Sequence, residues 1–274
     1  ACRKARANGM ARRRADAALV EAGLFTSREQ AKAAILAGRV TSGGKPVDKA
    51  GADVANDAVF EVEPAQEYVS RGGHKLAGAL DDFGMTVEGL RAVDVGASTG
   101  GFTDCLLQRG VVAVTAIDVG YGQLAWKLRC DERVTVLERT NIRMVGPDVA
   151  GAPFDLAVVD VSFIGLAKVL PHVEVLLKPG GEVVALVKPQ FEAGKGRVGK
   201  RGVVRDPAVH VDVLETVDRE AREAGWVVRG MTRSPLVGPE GNIEFWIRLA
   251  RSGKPEPIDH AGLVRAAREA LGSR

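Results

Sequence analysis

Val93-Asp94-Val95-Gly96-Ala97-Ser98-Thr99-Gly100-Gly101-Phe102-Thr103 closes an apolar run with a carboxylate and then turns on glycine. Such a stretch is where a parallel strand hands over to a helix and where a ligand can reach backbone. Glycine at 96, 100 and 101 leaves no β-carbon to hold a small molecule off the turn, and a helix opening near Gly101 directs free N–H groups toward it. A second apolar run, residues 112–117, ends in Asp118, about 20 positions further on, where a carboxylate suits ribose hydroxyls.

The order of the glycines separates two kinds of nucleotide ligand. A dinucleotide fold shows G-x-G-x-x-G, so that a pyrophosphate can approach the helix N-terminus. Here the order is Asp-x-Gly-x-x-x-Gly-Gly. A pyrophosphate would meet the Asp94 carboxylate, whereas the α-amino group of S-adenosylmethionine would find a partner there. Asp94, Gly96, Ser98, Thr99, Gly100, Gly101 and Phe102, with Asp118, are therefore read as a methyl-donor site. The bland alternative is a tightly packed turn with no ligand.

Outward from the turn, apolar runs at 91–95, 112–117, 133–137, 155–160, 182–187, 226–231 and 243–249 alternate with helical stretches. That alternation predicts an α/β fold with a doubly wound sheet of seven strands. Residues 177–181, Leu-Lys-Pro-Gly-Gly, read as a helix stop and turn into the fifth strand. The sixth and seventh runs are joined through residues 238–241, too short for a crossover helix, so the seventh strand is expected to be antiparallel.

Polar residues at the ends of such strands converge on one edge, where ligands bind. Asp160 ends the fourth run, Lys188 ends the fifth, Glu244 lies in the seventh and Lys75 lies just before the helix that leads into the first. A lysine ending an apolar strand needs carboxylates nearby, because burying an unpaired ammonium is costly. Each of the four alone reads equally as a salt bridge at a sheet edge. Asn141, after the third run, is a candidate adenine contact or a turn asparagine.

The 274 residues, 46% of them hydrophobic, fit two unequal domains, expected as an extension 1–11, a first domain 12–64, a linker 65–70, a second domain 71–251 and a tail 252–274 with a short helix. The net charge of +3 is unevenly spread: residues 1–49 hold 11 Lys and Arg against 4 Asp and Glu, a net +7, which leaves −4 for the remainder. A basic end on a near-neutral body points to an anionic partner. Cys2, Cys105 and Cys130 are widely spaced, which argues against a disulfide scaffold or a structural zinc site and suits a reducing cytoplasm. No window has the length and apolarity of a membrane span, and the N-terminal arginines lack a following apolar core. Met10, followed by Ala-Arg-Arg-Arg, reads as a natural start.

Within 12–64, Asp16 is expected to cap a first helix stopped by Gly23, and Ser27 with Gln30 to form a capping box for a second stopped by Gly38. Val40 then opens a strand, residues 42–45 form a turn, and residues 57–63 alternate as a final strand. Arg12, Arg13, Arg14, Arg28, Lys32 and Arg39 are expected on or beside the helices, several sharing one face. The segments 28–31, 38–40 and 45–47 resemble the S4 RNA-binding domain, which implies that this basic helix pair grips structured RNA.

Lysine, aspartate, lysine and glutamate in the order Lys75, Asp160, Lys188, Glu244 resemble the catalytic tetrad of the FtsJ-like 2′-O-methyltransferases. With an S4 domain ahead and the segments 70–76, 94–103, 118–124 and 187–192, the chain from Met10 onward is similar to the TlyA family. The resemblance implies a Rossmann-like seven-stranded class I methyltransferase sheet behind a small α+β S4 domain. It also implies methyl transfer from S-adenosylmethionine to a cytidine ribose 2′-hydroxyl in 16S or 23S ribosomal RNA or both. Lys188 would act at the hydroxyl, as base or as stabilising charge, with Asp160 and Glu244 orienting it and Asp160 also near the cofactor. Lys75 would hold substrate and Arg71 would contribute to RNA binding. Ribosomal RNA or subunits are the expected partner, with no metal, no membrane and a monomeric chain.

The glycine-rich, basic segment 192–202 is expected to be a flap that orders on RNA, or an ordinary loop. Residues 259–271, with Leu263, Val264, Ala267 and Leu271 at helical spacing, suit the longer family members that modify both subunits. Two competing readings are a membrane-active haemolysin, a label that TlyA-like proteins have carried, and an RNA-binding protein with an inactive methyltransferase domain. The absence of an apolar span speaks against the first and the filled tetrad against the second.

Overall fold

A computed structural model describes residues 12–63, 67–194 and 196–271. Met10, Cys2, the extension 1–11, linker positions 64–66 and Lys195 lie outside the described residues. The chain divides into two compact units that meet between Glu67 and Tyr68.

In the first unit, strands β1 (Arg12–Arg14), β2 (Val40–Ser42), β3 (Lys45–Pro46), β4 (Asp53–Ala55) and β5 (Phe60–Val62) accompany the helices Ala15–Glu21 and Arg28–Leu36. β1 pairs antiparallel with β4, and β3, β2 and β5 form a second small sheet. Its core is built largely of Leu19 and Ile35 with Ala15, Ala18, Ala31 and Ala34, whose small side chains on the two helices let the helix axes approach. Arg12, Arg13 and Arg14 are beside the first helix, in a strand that runs directly into it. Two expectations are corrected. Asp16 makes no cap; buried among cations, it accepts from Arg14 and, at 2.9 Å, from Arg28, and these partners hold its carboxyl far below the usual range. Ser27 Oγ does accept the Gln30 N–H at 3.3 Å, but the Gln30 amide turns back to Thr26 Oγ1 at 2.8 Å, so the box is not reciprocal.

The second unit holds a seven-stranded sheet of β6 (Arg91–Val95), β7 (Ala113–Ile117), β8 (Val134–Leu137), β9 (Phe154–Val159), β10 (Leu177–Val187), β11 (Val227–Arg233) and β12 (Phe245–Ala250). The order is β11-β12-β10-β9-β6-β7-β8, with β12 antiparallel to both neighbours, as the short connection requires, and the rest of the sheet parallel. The order reverses at β6 and β9, which opens the crevice at their C-terminal ends. One correction concerns residues 177–181. They belong to β10, whose pairing with β9 jumps from Leu177↔Phe154 to Glu182↔Leu156, so the Pro179-Gly180-Gly181 segment bulges out of a continuous strand.

Two apolar layers cover the sheet, one on each face. Val93 and Val95 face one layer, Ala92 the other, so the period of two sends Asp94 beneath the helix Gly101–Gln108. The C-terminal helix His260–Leu271 buries Val264 and Ala267, and Arg268 donates to the Arg205 carbonyl at 2.8 Å. Among the described residues no helix is long and apolar enough to cross a membrane, and no cluster of three His, Cys, Asp or Glu could hold a metal.

Candidate active site

A cavity of about 890 Å³ opens at the C-terminal ends of β6, β7, β9 and β10, in the crevice that the strand order creates. Gly96, Ser98, Asp118, Asn141, Asp160 and Lys188 line it. Of the turn's three glycines only Gly96 belongs to the cavity wall. Its φ of +90° favours glycine, and a β-carbon would fall on the Asp160 carbonyl, so β6 and β9 converge there only because no side chain intervenes. Gly101 is required by a different neighbour. A β-carbon there would strike Ser70 Oγ and lie 2.8 Å from Gly73 N, in the contact between its helix and the helix Arg71–Asp82. Gly101 thus serves close helix packing, whereas Gly73 makes room for the Tyr68 side chain, which a β-carbon there would strike.

Phe102 is buried against Trp246, ring centroids 5.3 Å apart, and Thr99 is exposed with its carbonyl accepting from Ala125 N. Neither lines the cavity. Asp118 accepts the Ser98 N–H at 2.7 Å on one oxygen and the Gly120 N–H at 2.6 Å on the other, which fixes the carboxylate at the cavity wall. Each oxygen keeps a lone pair for a further donor. Asn141 lines the wall while its side-chain oxygen accepts from Arg143 N at 3.1 Å, capping the short helix Ile142–Met144.

Asp94 is fully buried. Thr103 donates to Oδ2 from its backbone, at 2.9 Å, and from its hydroxyl, at 2.7 Å, while Oδ1 has no protein partner. Burial pushes the carboxyl up to about 7; the Thr103 bonds pull it down, and the charges of Asp160 and Asp118 push it further up.

The four tetrad residues form two ion pairs. Lys188 pairs with Asp160 at the cavity and also donates to Ser162 Oγ at 3.0 Å. Lys75 pairs with Glu244 at 2.5 Å, both buried, and neither lines the cavity. Lys75 is a residue of the helix Arg71–Asp82, not ahead of it, which corrects the expected placement. The register Val187↔Phe245 places Lys188 and Glu244 one residue beyond the paired ends of their two strands. Glu244 fits there because Gly238 lacks a β-carbon, which would sit 2.5 Å from Glu244 Oε1. Arg71 donates to the Val237 carbonyl at 2.9 Å and so braces the same loop.

Sequence reasoning passed over several neighbours. Ser162 completes the Lys188 environment, and Phe163 is 90% exposed at the cavity with φ +65°, its ring 4.9 Å from that of Phe191. An aromatic three positions after a strand-end carboxylate was the available signal. Asn242 is buried, accepts from Val204 N and donates to the Gly202 carbonyl, both at 2.9 Å. The basic segment is therefore tied down at its C-terminal end, and Arg197 pairs with Asp212.

A family model for FtsJ-like methyltransferases matches residues 68–251, and one for the S4 domain matches residues 13–57. A Mycobacterium tuberculosis protein named 16S/23S rRNA (cytidine-2′-O)-methyltransferase TlyA is 48% identical over 265 residues, covering 96% of this chain and 98% of its own. YqxC of Bacillus subtilis, provisionally named an rRNA methyltransferase, is 49% identical over 243 residues, covering 88% of this chain and 86% of its own. A solved structure from Streptococcus thermophilus, provisionally named a hemolysin, is 42% identical with a TM-score of 0.73, covering 96% of this chain and 98% of that one.

Proposed function

The chain belongs to the TlyA family of FtsJ-like methyltransferases carrying an S4 domain, and from that premise we propose that it transfers a methyl group from S-adenosylmethionine to a cytidine ribose 2′-hydroxyl in ribosomal RNA. The observation that carries the reading is the Lys188–Asp160 pair, held at the wall of the same cavity as the Gly96 turn and Asp118. A ribose hydroxyl is a weak nucleophile at neutral pH, so the protein must align it and help its proton leave.

The residues present fit the cofactor. The unpartnered Oδ1 of buried Asp94 suits an ammonium group, the close approach at Gly96 leaves room beside the backbone, and Asp118 can accept from ribose hydroxyls. S-adenosylmethionine supplies an already activated methyl group when bound. Lys188 would take the hydroxyl proton or stabilise the developing oxyanion, steadied by Asp160 and Ser162. Lys75 and Glu244, buried and outside the cavity lining, would brace the strand end that carries Lys188, and the exposed ring of Phe163 offers a stacking face for a base. Arg12, Arg13, Arg14, Arg28, Lys32 and Arg39 would supply the S4 contribution to RNA binding.

The test is incorporation of tritiated methyl into unmethylated 16S and 23S RNA, free and in subunits, with the site mapped by blocked reverse transcription. Incorporation should vanish when the mapped cytidine is replaced by its 2′-deoxy counterpart; persistence would move the acceptor to a base atom.

The elevated Asp94 carboxyl makes a separate forecast. Below about pH 7 it is largely neutral and a poor partner for an ammonium, so cofactor affinity should rise between pH 6 and 7.5, approaching about tenfold per unit at the acid end. Calorimetry should find this slope in the wild type and a flat, weaker profile in Asp94→Asn. A flat wild-type profile would remove Asp94 from the ammonium site.

A further inference from the structure

After Lys188 the chain makes one short helix, Pro189–Glu192, with Lys188 as its N-cap residue. Positions 188, 191 and 192 have the i, i+3, i+4 spacing that shares a helix face. All three reach the loop that follows β9. Lys188 meets Asp160 and Ser162, Phe191 meets the Phe163 ring, and Glu192 Oε1 accepts the Leu166 N–H at 2.8 Å.

The loop between those contacts is strained. Phe163 holds a left-handed φ of +65°, a conformation unfavourable for a side-chain-bearing residue that persists only where surroundings over-determine it. Its ring gains little from burial, being 90% exposed. Something else must hold the loop in place. Gly165 fits closely against the Glu192 carboxylate, where a β-carbon would lie 3.0 Å from Oε2. Leu166, whose N–H Glu192 accepts, is buried, so the loop is gripped at its far end against the core.

Glu192 is also an expensive choice for that grip. Burial pushes its carboxyl above the usual range, with Glu220 acting in the same direction and Lys168 against it. A carboxylate retained under those conditions needs a compensating role.

We propose that Glu192 is a positioning residue for methyl transfer: by accepting the Leu166 N–H it clamps the strained loop 160–165, so that Asp160 and Ser162 stay on the Lys188 amine. The proposal rests on the Lys188 role given under Proposed function. It requires the reach and acceptor oxygen of residue 192, not its charge.

The full-length wild type is compared with Glu192→Ala, Glu192→Asp and Glu192→Gln. Glutamine keeps both reach and acceptor, whereas aspartate keeps the charge but falls one methylene short. The Ala and Asp variants should lose about 10²-fold in kcat, as expected for a reacting group displaced by about 1 Å, with KM for S-adenosylmethionine and RNA within threefold of wild type. Gln should restore kcat. In fluorophenylalanine-labelled protein the 19F resonance of Phe163 should move in the Ala and Asp variants and stay in place in Gln. If the Ala variant does not fold, the Asp–Gln contrast decides. Equal kcat in Asp and wild type, or a Gln variant as impaired as Asp, overturns the proposal. So does a stationary 19F signal. A wild type that fails to methylate ribose refutes the reading of function instead, and the 19F comparison still decides whether Glu192 holds the loop.

Discussion

Lys188→Ala should abolish methyl transfer, with kcat falling by about 10²- to 10⁴-fold, the range a proton-handling side chain contributes, while the cofactor still binds. The side chain meets Asp160 and Ser162 at the cavity wall, whereas the atoms suited to the donor are those of Gly96 and Asp118, on the same wall, and of Asp94, which is buried and does not itself line the cavity. A small secondary effect has a definite sign. Removing the ammonium leaves the Asp160 charge uncompensated, and that charge already pushes the Asp94 carboxyl upward. Without the Lys188 ammonium, cofactor affinity in the variant should therefore fall below wild type on the acid side of the Asp94 titration, and the gap should close as the pH rises above it. Lys188→Arg separates the two roles left open: a guanidinium stays charged but does not accept a proton at these pH values, so activity in Arg would favour charge stabilisation over general base. Wild-type turnover by the Ala variant would make the lysine structural.

The second large effect concerns RNA. The first unit has its own core, separate from the two layers around the large sheet, so a chain beginning at Glu67 should keep cofactor affinity within about twofold. It should lose on the order of 10³-fold in affinity for ribosomal RNA at low salt, because binding through several phosphates is dominated by counterion release. The full chain should show a steep fall of log affinity with log salt and the fragment a shallow one. Finer variants follow from the internal pairs. Arg14 and Arg28 are held by Asp16, and Arg13 by Glu21, so reversing those charges would damage the unit itself. Arg12 and Lys32 have no internal ion pair among the described residues, and Arg12→Glu with Lys32→Glu should weaken RNA binding while leaving the melting temperature unchanged. Equal methylation of ribosomal substrate by the fragment and the full chain would remove the first unit from substrate anchoring.

Much of this was legible along the chain because it depends on local periodicity. Strand and helix alternate in period, and each of the seven strands lies within a few residues of its apolar run. The antiparallel seventh strand followed from a connection too short for a helix. The short N-terminal strands were less legible: Arg12–Arg14 carries no apolar alternation, and it is a strand only because Asp53–Ala55 supplies its hydrogen bonds from far along the sequence. Asp16 was misread for a related reason. A capping rule sees only the adjacent backbone, whereas two guanidinium groups, one of them twelve residues away, compete for the same oxygens and win on charge.

The site divides along the same line. The sequence by itself determined which residue types end the strands, and hence that Asp94, Asp118, Asp160 and Lys188 belong to one edge of one sheet, since side-chain direction and strand order follow from covalent geometry and connection handedness. Only the tertiary structure decided which atoms meet. Gly96 and Gly101, a few residues apart in one motif, are required by different neighbours, the Asp160 carbonyl and the Ser70–Gly73 backbone turn. Lys75 and Glu244, 169 positions apart, form a buried pair behind the cavity, and Glu192 reaches a loop 26 positions earlier. Those contacts arise from packing distances of a few ångströms between distant segments, and such distances exist only once the two faces of the sheet are covered.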